Sequence, residues 1–131
     1  MIILDTCVIV YDALEPEKLS MKASEMLREG LLTGRLACSD ISLWEIAMLI
    51  SKGRLKPDAD PLLFVRKIIA ANSMKVLPIT PEIAVLANSG NEFIHGDPAD
   101  RIIAATALHH KATLITCDSM LQKLKGLKVI W

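Results

Sequence analysis

The chain has 131 residues, 52% of them hydrophobic, a length at which one domain buries roughly two-thirds of its unfolded surface without help from a disulfide or a metal. That composition excludes an intrinsically disordered chain, and the balance of 15 Lys and Arg against 15 Asp and Glu excludes a long-range field that would draw in nucleic acid or an anionic membrane. The aromatics are few (Tyr11, Trp44, Phe64, Phe93 and Trp131), which argues against a base-stacking platform, and the aliphatic surplus points to an interface with a partner or a second copy.

Ile2 to Asp5 reads as a short buried strand that stops at a carboxylate, with a helix starting behind it across Val8 to Leu14. Pro16 suits a first helical turn, and Leu19, Ala23, Met26, Leu27 and Leu31 mark one helical face until Gly34. Leu36 to Cys38 is a second apolar run. It leads into a strong helix pattern from Leu43 to Ile50, in which Ser42 and Glu45 have capping-box spacing. That helix stops near Gly53, beside a small basic cluster of Lys52, Arg54 and Lys56. Asp60 and Pro61 open a further helix through Asn72, and Met74 to Ile79, with Pro78, reads as a strand near a sheet edge.

Thr80-Pro81-Glu82 caps a short helix that ends around Ser89-Gly90-Asn91. Asp97 is a natural N-cap, Pro98 the first helical residue and Asp100 the third, ahead of Ile102, Ile103, Thr106 and Leu108. Thr113 to Thr116 is a buried strand, Asp118 opens a small helix closed by Gly126, and Val129 to Trp131 forms a last strand. This alternation predicts an α/β fold, a single domain over residues 1–131 with a mostly parallel sheet.

Cys7, Cys38 and Cys117 cannot all pair and show no C-x-x-C spacing, so a reducing, cytoplasmic setting is expected, with the cysteines packing as small hydrophobes near the strand ends. The first residues lack the pattern of a signal peptide, and no apolar run approaches the length of a membrane span; a soluble protein away from the membrane is expected.

In a parallel sheet, functional groups gather beyond the C-terminal strand ends, and Asp5, Glu45, Asp100 and Asp118 all belong to that end. Carboxylates crowded in one cleft repel one another, and an oxygen-only set without Cys or His suggests Mg²⁺, or Mn²⁺, as the ion that holds them ionised. Each acid also has a plainer reading. Glu45 can serve as the capping-box partner of Ser42, Asp118 as an N-cap, and Asp100 as a first-turn acid complementing the helix dipole. Asp5 is the hardest to explain this way, since a strand that buries its neighbours has no structural need to end on a charge.

Four blocks carry a family resemblance: Ile3-Leu4-Asp5-Thr6, Ser42-Leu43-Trp44-Glu45-Ile46, His95 through Ala107 with its D-P-x-D-R core, and Leu114-Ile115-Thr116-Cys117-Asp118. In their order and extent they resemble PIN-domain proteins, and most nearly the VapC type of bacterial and archaeal toxin. The resemblance implies a three-layer α/β/α sandwich and a Mg²⁺-dependent endoribonuclease with Asp5, Glu45, Asp100 and Asp118 as its acids. It also implies support of the metal site by Thr6 and Thr116, a small antitoxin partner and a homodimer. Lys52, Arg54, Lys56 and Arg101 are the candidate contacts to the RNA backbone, with a solvated helix end as the plain reading of the cluster. His95 is a candidate for the cleft rim, and the family pattern does not define a role for Cys7.

Two other readings stand beside this one. A non-catalytic PIN-like module would bind RNA or protein without cutting. A Mg²⁺-dependent phosphatase would want a second acid two residues after Asp5, where this chain has Cys7.

Overall fold

The computed structural model describes residues 1–90 and 96–131. Chain order runs β1 (Ile2–Leu4), α1 (Thr6–Leu14), a 3-10 turn (Pro16–Lys18), α2 (Met21–Leu32), β2 (Leu36–Ser39), α3 (Asp40–Ser51), α4 (Pro61–Ala71), β3 (Lys75–Leu77), α5 (Pro81–Leu86), α6 (Pro98–His109), β4 (Thr113–Ile115), a second 3-10 turn (Leu121–Lys123) and β5 (Lys128–Ile130). The five strands form one sheet in the order β3-β2-β1-β4-β5, and every neighbouring pair is parallel. The expected edge strand is there: β3 ends the sheet on one side.

The period-2 alternation of strand side chains divides the core in two. Ile2, Leu4, Leu36, Cys38 and Ile115 pack on one face with Val8 and Ile9 of α1, Ala23 and Leu27 of α2, Ile46 of α3, and Phe64 and Ile68 of α4. Ile3, Ala37 and Leu114 pack on the other with Ile103, Ala104 and Ala107 of α6. α5 then covers α6 through Ile83, Ala87 and Ala105. The result is the expected three-layer α/β/α arrangement. The small alanines of α6 let that helix lie close to the sheet, and buried Thr106 donates its hydroxyl back to the Ile102 carbonyl at 2.7 Å.

Helix ends aim the strands that follow. At the end of α2 the Gly34 N–H donates to Leu31 O and the Arg35 N–H to Gly30 O, a Schellman closure for which Gly34 takes φ +61°. α3 ends in the same way at Gly53. α4 and α6 repeat the two bonds with Ser73 (φ 46°) and Lys111 (φ 50°) in the left-handed position. At the other end, Ser20, Asp60, Thr80 and Asp97 each cap a helix by accepting a backbone N–H. The Ser20 cap places the start of α2 at Met21, with the turn at Pro16 kept separate from it.

Gly30 sits where α2 touches the sheet. A methyl there would overlap the Leu36 side chain and lie 3.1 Å from Ile2 Cδ1. Overpacking costs about 1–3 kcal/mol, more than the roughly 1 kcal/mol that alanine gains in helix propensity. Gly30→Ala is therefore expected to lower the urea midpoint by the equivalent of about 1 kcal/mol; a raised midpoint would mean the contact yields more easily than the packing implies. Among the described residues, no helix is long and apolar enough to cross a membrane.

Candidate active site

The strand order reverses direction at β1, whose neighbours β2 and β4 lie on opposite sides, so the loops leaving β1 and β4 part at their C-terminal ends. A cleft of about 590 Å³ opens there, lined by Asp5, Glu45, Asp100 and Asp118, together with Thr6, Cys7, Tyr11, Arg54 and Cys117. Four segments far apart in sequence thus place their acids in one cavity.

Asp5 is the deepest, only 3% exposed, and its backbone N–H extends the sheet by donating to Ile115 O at 3.0 Å. Its Oδ2 accepts from the Thr116 hydroxyl and from the Cys7 thiol, the latter at 3.5 Å. Burial pushes the Asp5 carboxyl above its ordinary range and Asp118 adds to this, against the downward pull of the Thr116, Cys7 and Thr6 hydrogen bonds. Thr116 also accepts from the Asp118 N–H at 2.9 Å, so one buried hydroxyl links the end of β1 to the loop after β4.

Glu45 departs from the capping-box expectation. α3 begins at Asp40, several residues earlier than the pattern suggested, so Ser42 and Glu45 both lie inside the helix. The Ser42 hydroxyl is buried without a hydrogen-bond partner among the described residues, and the Glu45 Oε2 accepts from the Thr6 hydroxyl at 2.5 Å. Burial raises the Glu45 carboxyl, helped by Asp5 and Asp97 and opposed by the Thr6 bond.

Asp100 stands in the first turn of α6 as expected, with Asp97 capping the helix by accepting from the Ala99 N–H at 2.8 Å. Its carboxyl is pushed up to about 7, first by burial and then by the charges of Asp5, Asp118, Asp97 and Glu45. Asp118 does perform the capping role that was its plainer reading: Oδ1 accepts from the N–H groups of Met120 at 2.7 Å and Leu121 at 2.9 Å. It nevertheless lines the cleft and raises both Asp5 and Asp100, so capping and site membership coexist in one side chain.

The basic candidates separate. Arg54 lines the cleft, whereas Lys52 and Lys56 are exposed outside its lining. Arg101 is half-buried outside that lining and donates its backbone N–H to Asp97 O at 3.2 Å. His95 lies outside the described residues. Two features of the cleft carry no local signal in the sequence: Tyr11, whose ring lies 5.4 Å from Lys18 Nζ, and the meeting of Cys7 with Cys117. Cys38 packs in the core and Cys7 packs against it near a strand end, as expected, while Cys117 meets Cys7 on the cleft lining; burial raises the Cys38 thiol to about 11, and burial together with Asp5 raises that of Cys7.

The donor set is chemically suited to a hard divalent cation, because among the described residues five carboxylates, Glu15 as well as the four acids, and no imidazole line one cleft, and the repulsion among the four acids is already expressed in Asp100. As positioned, with Glu45 turned to Thr6 and Asp118 to backbone amides, no three Asp, Glu, His or Cys side chains among the described residues close into a ready metal cage. A cation would have to draw these side chains off their present partners.

A family model for the PIN domain matches residues 2–127, and the chain belongs to the PIN-domain family. It is 33% identical to Ribonuclease VapC22 of Mycobacterium tuberculosis over 121 residues, 92% of this chain and 89% of that one. Among solved structures, it resembles VapBC2 of Rickettsia felis bound to a DNA fragment from their promoter, with a TM-score of 0.76 at 18% identity over 99% and 98% of the two chains. It also resembles FitAcB of Neisseria gonorrhoeae, with a TM-score of 0.69 at 22% identity over 100% and 97%. The latter two likenesses concern the fold.

Proposed function

We propose that residues 1–131 act as one PIN domain and that this domain is a divalent-metal-dependent endoribonuclease, the toxin of a toxin–antitoxin pair. The observation that carries the reading is the convergence of Asp5, Glu45, Asp100 and Asp118 on one cleft at the C-terminal edge of the sheet. The 33% identity to a relative named a ribonuclease supports the activity, and structural kinship with toxin–antitoxin assemblies supports a small protein partner. A cytoplasmic homodimer completes the proposal; Trp44, 60% exposed beside the cleft acid Glu45, is the kind of apolar surface that a second copy would cover.

The four acids would hold Mg²⁺, with Mn²⁺ the second choice, and Thr6 and Thr116 would support them. When bound, such an ion supplies positive charge at the scissile phosphodiester and makes water a stronger acid. The chain's own part is positional. Asp5 is held by Thr116 at the floor of the cleft, and Glu45 is held by Thr6 at its side. Arg54 at the cleft wall can grip a phosphate of the RNA backbone through its planar fork, and Lys52 and Arg101 are secondary contacts for flanking phosphates. Asp100, whose carboxyl is pushed up to about 7 by burial and the neighbouring acids, would have to be deprotonated to serve as a ligand, so cation binding at this site would be coupled to the release of a proton.

The test is cleavage of a labelled RNA by the purified chain. Cutting is expected with Mg²⁺, is expected to stop on addition of EDTA, and should return when Mg²⁺ exceeds the chelator. Undiminished cutting in EDTA would sink the metal-dependent reading.

A further inference from the structure

Cys7 and Cys117 stand 110 positions apart in sequence, yet their sulfurs are 3.0 Å apart, with the Cys117 thiol donating to Cys7. Strand pairing produces this meeting. Leu4 of β1 is in register with Ile115 of β4, so the chain leaves both strands side by side, and each cysteine follows within three residues of its strand end. Both thiols are free, only partly buried, and line the same cleft as the four acids. A disulfide needs about 2.05 Å between sulfurs, so an approach of roughly 1 Å would join them, within what a side-chain adjustment supplies.

We propose that Cys7 and Cys117 form a reversible disulfide across the floor of the cleft, a site of oxidative modification for small hydroperoxides. In the first step the Cys117 sulfur, as thiolate, attacks a peroxide oxygen while Cys7 keeps its proton toward Asp5; the O–O bond breaks, water or an alcohol leaves after taking up a proton, and a sulfenic acid remains on Cys117. The second sulfur then attacks the first, the S–O bond breaks, and the hydroxyl departs as water with the second thiol's proton. Two cysteine sulfurs lose two electrons in total, and the hydroperoxide gains them.

The modification reaches the acids directly. Cys7 lies two residues after Asp5 and donates its S–H to Asp5 Oδ2 at 3.5 Å, and Cys117 immediately precedes Asp118. A disulfide has no S–H, so Asp5 loses one donor, and the two acid-bearing loops become covalently tied. Cleavage by the oxidised form is expected to fall at least tenfold, a consequence that rests on the ribonuclease reading, whereas the disulfide itself does not.

The experiment treats the full chain with a few equivalents of hydrogen peroxide, blocks remaining thiols with an alkylating agent, and digests without reduction. Mass spectrometry should find the Cys7 and Cys117 peptides joined, two hydrogens lighter than their sum, separable by dithiothreitol, with Cys38 alkylated only after unfolding. Independent alkylation of Cys7 and Cys117, or linkage of either to Cys38 or to a second chain, overturns the proposal. Cys7→Ser and Cys117→Ser, checked for folding by circular dichroism, should each abolish the joined species and leave cleavage insensitive to peroxide at this dose. Joined peptides with unchanged cleavage overturn the inhibitory effect. Joined peptides from a protein that cuts no RNA even when reduced, with Mg²⁺ present, overturn the ribonuclease reading and leave the disulfide standing.

Discussion

Asp5→Asn is expected to slow RNA cleavage by on the order of 10²–10³-fold, the scale seen when one preorganised electrostatic group is removed from a catalytic site. The reason lies in where Asp5 sits. It is the most buried of the four acids, and Thr116, Cys7 and the pairing of its backbone with β4 fix it in place. Asparagine keeps the shape and can still accept from Thr116, but it cannot carry the charge a divalent cation needs. The fold should survive, since burial already favours the neutral form of this side chain. Initial cleavage rates at saturating Mg²⁺, set beside thermal melts of both proteins, measure the effect; a rate within threefold of the parent would remove Asp5 from the chemistry.

Asp100→Asn is expected to move stability and activity in opposite directions. In the folded chain the Asp100 carboxyl titrates near 7, against a reference of 3.8. Between those values the folded state keeps a proton that the unfolded chain has released, so raising the pH across this window destabilises the protein. Below about pH 4 both states hold the proton, and the variant should match the parent. Above about pH 7 the cost is complete, and its removal should stabilise the chelator-treated variant by on the order of 1–2 kcal/mol, after discounting the full shift for a half-exposed, screened carboxyl. Urea unfolding at pH 4, 6 and 8 in EDTA reads the difference, and a gain already present at pH 4 would contradict the electrostatic origin. Cleavage with Mg²⁺ should meanwhile fall by about 10²-fold. In the parent, bound Mg²⁺ should stabilise more at pH 8 than at pH 6, because the cation competes with the Asp100 proton.

Strands and helix starts were legible because their signals are local. Ile2 to Leu4 is apolar because it is buried on both faces, and Asp60, Thr80 and Asp97 cap helices wherever a proline follows them. Helix ends were most directly legible where glycine marks them, and the end of α4 at Asn72 was legible without one. Gly34 and Gly53 announced theirs, while Ser73 and Lys111 adopt the same left-handed turn without any compositional sign, held there by the packing that follows.

The acids were legible for a different reason: a carboxylate at the end of a buried strand has few structural excuses. What a side chain does between two roles was less accessible. The spacing of Ser42 and Glu45 fits a capping box, yet the helix begins at Asp40 and Glu45 turns to Thr6, a partner 39 positions away. Cys7 and Cys117 were hidden for the same reason, since their meeting depends on strand order, which no local pattern encodes. Among the cations, nothing in composition separates Arg54 from Lys52, and only the course of the chain after α3 turns one of them toward the cleft.

The central place of β1 has a consequence for biosynthesis. β1 is made well before its partner β4, which lies more than a hundred residues later, and the hydroxyl that positions Asp5 belongs to Thr116. A growing chain can pair β1 with β2 early, yet it carries an unfinished pocket until β4 and Thr116 have been translated and have docked. A product truncated before β4 lacks the hydroxyl that positions Asp5, so it is expected to leave RNA uncut, which a cleavage assay on a chain stopped before Thr113 would check.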